Sequence, residues 1–128
     1  MKREVIKSET EWEKPYGFSQ GMVLKEVSNL IFLAGQASMS PEGAVVEGDI
    51  GAQTRQAYDN VVSMLGKAGL TMDDVVYERI NLVNMADLLK ALEVRSRFYK
   101  RYPPSTYVQV ASLALPQLLI EVEVVAAS

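Results

Sequence analysis

The 128-residue sequence contains no cysteine and no histidine. Without cysteine there is no disulfide, no thiolate nucleophile and no cysteine-ligated zinc site. Without histidine there is no serine–histidine–carboxylate triad and no histidine-held metal. Acid–base chemistry would fall to a carboxylate, a lysine or a tyrosine, working through water. Positive charge is also scarce: the net charge is -3 and the pI is near 5.0, which disfavours nucleic acid or an anionic membrane as a partner. No apolar run is long enough to span a bilayer. The first residues, MKREVIKSETEWEK, lack the apolar stretch of a secretory signal, so a cytoplasmic protein is expected.

What is present is enough apolar material for a core. The chain is 48% hydrophobic and 23% charged, and a chain of this size folds without a staple. It has no repeat and no linker, so residues 1–128 are read as a single domain. Met22 to Val27 and Leu30 to Leu33 read as a hairpin turning at Ser28–Asn29. The unbroken run Leu30 to Leu33 suggests a strand buried on both faces, interrupted by Gly35. Asp49 is a plausible N-cap for a helix whose apolar positions run Ile50, Ala57, Val61, Leu65 and Ala68, with Gly69 as its stop. Val75 to Val83 reads as a strand with Tyr77, Arg79 and Asn81 on one face. A second helix is expected from about Ala86 to Tyr99. Thr106 to Leu113 and Leu118 to Ala127 read as strands.

The order is β-β-β-α-β-α-β-β, an α+β fold. Two helices cover only one face of a mixed sheet. The other face would leave apolar surface open, which points to assembly through that face.

The candidate chemical groups are few. Glu121 and Glu123 share one face of the last strand, roughly 7 Å apart. They are either a general base pair handling water or the solvated face of a strand. Gly35 either lets a ligand approach bare backbone or makes a tight bend. Ser105, Thr106 and Tyr107 follow two prolines and could bind a ligand or simply start a strand. Lys90, Arg95, Arg97, Lys100 and Arg101 make the second helix basic, either as an anion surface or as a solvated face. Trp12, Tyr16 and Phe18 are core or a lid.

Several segments together resemble one known family. LAGQ, DIGAQTRQAYDNV with Ala68–Gly69, INLVNMADL, Phe98–Tyr99 and above all PPSTYVQVASL with LLIEVEVVA resemble the Rid family, the reactive intermediate deaminases, from about Phe18 to Ala126. The resemblance implies a chorismate-mutase-like fold and a homotrimer, with small-molecule clefts between subunits. It also implies hydrolysis of enamines and imines such as 2-aminoacrylate to a 2-oxo acid and ammonia, without metal or cofactor. Glu121 stands where the family positions the attacking water, and Gly35 where a glycine lines the cleft. At the remaining positions the chain departs from the pattern. Ser105 stands in place of the arginine that clamps the substrate carboxylate, Tyr107 of a cysteine, Phe18 of a tyrosine, Leu92 of an asparagine and Ala34 of a serine.

The arginine's bonds to a carboxylate would each be worth roughly 1.5–3 kcal/mol. Without them, small imino acids are expected to be poor substrates, unless Arg79 or Arg101 of another subunit replaces the clamp. Phe18, Ala34, Leu92 and Tyr107 would instead line a cleft for a neutral or aromatic ligand, with hydroxyls from Ser105 and Thr106 at its end. The alternative is a non-catalytic, regulatory metabolite-binding module of the same fold.

Overall fold

The computed structural model describes residues 1–128. Two antiparallel strands, β1 (Lys2–Ile6) and β2 (Gly21–Lys25), pair with each other apart from the main sheet. The main sheet has five strands: β3 (Leu30–Phe32), β4 (Gln36–Ala37), β5 (Val75–Leu82), β6 (Ser105–Gln109) and β7 (Ile120–Ala127). Its order is β3-β7-β5-β6, and β4 also pairs with β7 beyond the end of β3. Only β5 and β6 run parallel, so the sheet is mixed. Helices α1 (Ile50–Lys67) and α2 (Leu88–Arg95) pack against each other on one face of it.

The core forms where α1 meets the sheet. Ala57, Tyr58, Val61 and Leu65 of α1 pack on Ile80 and Leu82 of β5 and on Ile120, Val122 and Val124 of β7, all essentially buried. Helix α1 begins at Asp49, whose carboxylate accepts from the Ala52 amide at 2.9 Å, a cap worth about 1 kcal/mol. It ends where Gly69 turns left-handed (φ 75°) and the Leu70 amide donates back to the Leu65 carbonyl. The two polar residues on its inner face are satisfied. Thr54 donates to the Ile50 carbonyl at 2.7 Å, and Gln53 bonds the Gln117 carbonyl and the Leu119 amide, each at 2.8 Å. Gln53 thereby pins the loop that leads into β7.

Several expectations need correction. There is no hairpin between β2 and β3. The amides of Ser28 and Asn29 both donate to the Ser128 carbonyl, which steers the chain into a crossover beside β7. The apolar run at β3 is not buried on both faces: Leu30 is 55% exposed and Phe32 73%. These side chains, with Tyr77 and Val125, lie on the face of the sheet that no helix covers. β1 was not expected, because a strand exposed at most positions carries no apolar alternation to read. The observed order is β-β-β-β-α-β-α-β-β, with four strands before the first helix rather than three. α2 is shorter than its periodicity implied, since Met85–Asp87 forms a separate 3-10 turn capped by Asn84. β6 ends at Gln109 and β7 starts at Ile120. No helix is long and apolar enough to cross a membrane.

The segment between β1 and β2 is organised by Glu13. Its buried carboxylate accepts from the Ser8 amide at 3.2 Å, the Ser8 hydroxyl and Gln20 Nε2 at 3.0 Å. Burial alone would raise its pKa, but the bonds from Ser8 and Gln20 prevail and lower it from 4.5 to about 2. The folded state therefore holds its proton less tightly than the unfolded chain does. The stabilisation is full above pH 4.5 and disappears as the pH falls toward 2. Thermal melts should show the wild type losing more stability over that window than Glu13→Gln, which has no charge to lose.

Candidate functional site

The residues singled out in the sequence gather into two groups at opposite edges of the sheet. The first lies where β4 meets β7. Glu121 sits opposite Ala37 and points to the face without helices, as β7 alternates with Ile120, Val122 and Val124 buried beneath. Its side chain lies directly over the backbone of Gly35. A Cβ built on Gly35 would come 2.7 Å from Glu121 Cγ and overlap its carboxyl group, so any larger residue here would displace the Glu121 side chain. Ala34 is exposed beside it. Glu123, two residues on, accepts from Asn81 at 3.4 Å, whereas the Glu121 carboxylate is bonded by no group of the chain. The two glutamates are thus different: one belongs to a polar surface pair, and the other is a half-buried acceptor left open above bare backbone.

The second group lies at β6 and α2. Parallel pairing sets Ser105 beside Glu78 and Tyr107 beside Ile80, so both point to the helix-covered face. Thr106 points the other way and accepts from the Tyr77 hydroxyl at 3.2 Å. Leu92 is half-buried on α2. Phe18 meets Tyr107 edge to face at 5.8 Å between ring centres and Trp12 at 5.6 Å. Trp12 and Tyr16 are exposed, so this aromatic chain is surface rather than core.

The centre of this second group is a buried ion pair absent from the sequence reading. Glu78 is 0% exposed and Arg95 1%. Arg95 Nε donates to Glu78, Nη1 to the Gly17 carbonyl at 2.7 Å, and Nη2 to the Ser105 hydroxyl at 3.0 Å. Glu78 also accepts from the hydroxyls of Tyr58 (3.0 Å), Tyr99 (2.5 Å) and Ser105 (3.2 Å). The guanidinium lies over the rings of Tyr102 at 4.8 Å and Tyr99 at 5.0 Å, geometry that favours a cation.

The charges around the pair set the protonation of its neighbours. Burial and then the Glu78 carboxylate push the Tyr58 and Tyr99 hydroxyls well up. Burial, opposed by Arg95, raises Tyr107 to about 12. All three tyrosines keep their protons at neutral pH and serve as donors, as Tyr107 does to the Tyr16 carbonyl at 2.9 Å. For Arg95, burial is outweighed by Glu78, and its charge is held.

Arg95 therefore belongs to neither the anion surface nor the solvated face weighed for the basic run, whose other members Lys90, Arg97, Lys100 and Arg101 are exposed. A signal was present. Leu88, Ala91, Leu92 and Arg95 follow helical spacing on the apolar side, and Glu78 alternates with Ile80 and Leu82 on the buried side of β5. Opposite charges at two inward positions mark a buried pair.

Within one chain the two groups do not meet. β5 lies between β7 and β6, which separates them by two strand spacings, roughly 10 Å, and Ser105 and Tyr107 project from the face opposite to Glu121. No cluster of three or more potential metal-ligating side chains occurs.

Comparison with known proteins agrees with the architecture. The family model described as Endoribonuclease L-PSP matches residues 10–128. A RutC family protein of Pyrococcus abyssi is 36% identical over 128 residues, covering 98% of both chains. One from Pyrococcus horikoshii is 34% identical over 126 residues, covering 97% of both. Among solved structures, the Rid-family protein YyfB of Yersinia pestis superposes with a TM-score of 0.89 at 34% identity, covering both chains completely. Rv2704 of Mycobacterium tuberculosis, of the YjgF/YER057c/UK114 family, gives 0.69 at 30% identity, covering 99% of this chain and 100% of its own. With model, relatives and structures all spanning nearly its whole length, the chain belongs to the Rid family and has that family's chorismate-mutase-like α+β fold.

Proposed function

We propose that two copies of the chain complete one catalytic cleft, and that this cleft hydrolyses an enamine or imine. The Gly35–Glu121 edge of one protomer faces the Leu92–Ser105–Tyr107 edge of the next, with Phe18 at the rim. The observation that carries this reading is the open Glu121 carboxylate lying directly against the bare backbone of Gly35. Such a group can accept a proton from water while the glycine leaves room for a substrate. The oxygen of that water bonds to the imine carbon. The carbon–nitrogen bond then breaks, and nitrogen leaves as ammonia with the protons that water gives up. An enamine reaches the same path after tautomerising to the imine.

The uncovered sheet face supports a shared site. Leu30 and Phe32 are too exposed for a chain that works alone, and a homotrimer closed through this face would bury them. Purified protein should speed imine hydrolysis above buffer and sediment as a trimer. Glu121→Ala should remain trimeric and lose the activity. Phe32→Glu should become monomeric and lose it too. No rate above buffer with small or aromatic imines would sink the enzyme reading and leave a binding module. An active monomer would sink the shared cleft.

A further inference from the structure

The uncovered face of the sheet is divided into rows that run across its strands. Tyr77, Val125 and Phe32 form an apolar row. The next row is polar: Thr106, Arg79 and Glu123 lie side by side on β6, β5 and β7. Beyond it, Asn81 stands directly opposite Glu121. Arg79 is exposed and forms no ion pair; its one side-chain bond runs from Nε to Asn81 Oδ1 at 3.3 Å. That bond draws the guanidinium along β5 toward the row of Glu121 and leaves the N–H groups of both terminal nitrogens uncommitted.

Thr106, beside Arg79, accepts from the Tyr77 hydroxyl and still has its own proton to give. Glu123 is engaged by Asn81, whereas Glu121 is bonded by nothing. Arg79 and Glu121 are diagonal neighbours on paired strands, roughly 7–8 Å apart, a separation that long side chains span. They are opposite charges that do not meet each other. The charges of the patch also select a ligand. With two glutamates to one arginine, a simple anion is repelled, and a simple cation leaves Arg79 unanswered. A small molecule carrying both a carboxylate and an ammonium satisfies both poles through charge-assisted bonds.

We propose that Arg79 and Glu121 are the two poles of a site for a short α-amino acid, whose carboxylate lies on Arg79 and Thr106 and whose ammonium lies on Glu121. In the shared cleft proposed above, on which this rests, such a ligand occupies the carboxylate that would activate water. The amino acid is therefore a competitive inhibitor of the hydrolysis, and the site senses its concentration.

L-alanine, propionate and L-alaninamide test this by titration calorimetry on the wild-type protein. Propionate lacks the ammonium and alaninamide the carboxylate, so L-alanine should bind at least about tenfold more tightly than either. Equal affinity, tighter binding of propionate or alaninamide, or binding of none would overturn the proposal. Arg79→Gln can still donate to Asn81 and removes only the charge. It should weaken L-alanine by at least about tenfold, and unchanged affinity would also overturn the proposal. With an imine substrate, L-alanine should raise KM and leave kcat alone. Because binding needs no turnover, an L-alanine preference without imine hydrolysis would refute the enzyme reading only. Hydrolysis that L-alanine neither slows nor competes with would refute this inference only.

Discussion

Arg95→Ala should cost roughly 3–5 kcal/mol of stability, because it strands a carboxylate in the core. Glu78 has no exposed surface to fall back on, and its other donors are neutral hydroxyls. In a chain of this size such a loss lowers the melting temperature by roughly 10 °C or more. Arg95→Lys should be nearly as harmful, since an ammonium cannot reach Glu78, Gly17 and Ser105 from one planar fork. The double replacement Arg95→Met with Glu78→Leu separates charge from packing. It removes both ions together and should cost less than Arg95→Ala. It will not be free, because Tyr58 and Tyr99 lose their acceptor, at about 1–3 kcal/mol for each buried hydroxyl left unpaired. Urea melts of the three variants check this. A cost below about 1 kcal/mol for Arg95→Ala would mean that water reaches Glu78 once the arginine is gone, and that the pair does not hold α2 to the sheet.

Gly35→Ala should remove activity while sparing the fold. Its backbone lies outside the left-handed region, so alanine meets no torsional objection there. The objection is space alone: the new methyl would occupy the position of the Glu121 carboxyl group. The carboxylate must swing away, and a general base out of place forfeits roughly 10²–10⁴-fold in rate. Gly35 and Glu121 act as one unit under this account. The double variant Gly35→Ala/Glu121→Ala should therefore be no slower than Glu121→Ala alone, a plain failure of additivity. Rates of imine hydrolysis beside melting temperatures would show this. Full activity in Gly35→Ala would remove Glu121 from the reaction.

What could be read in advance followed from local pattern. α1 was legible at both ends, because Asp49 and Gly69 are chemical signals as well as breaks in periodicity. β7 was legible because burial alternates along it almost without fault. The rest depended on pairing, which one strand's pattern does not carry. Alternation could tell that Glu121 faces away from Val122, but not that Ser105 faces the helices. That follows from the parallel register between β5 and β6. For the same reason the sequence does not show that one chain holds the candidate residues at two separate edges of the sheet. Arg95 was hidden by composition: four exposed basic neighbours drew it into a surface it does not share.

The place of β7 in the sheet bears on how the molecule is made. It is the last strand in sequence and yet the middle of the sheet, joining β3, β4 and β5. Leu30 pairs with Ala127, at the far end of the chain. Such contacts close large loops before they return any stabilisation, which slows folding compared with a helical bundle of the same length. During synthesis α1 and α2 emerge before β7, the strand that supplies Ile120, Val122 and Val124 to the core. β5 and β6, which pair directly, are made before β7, so the strand that closes the core against α1 is the last to arrive.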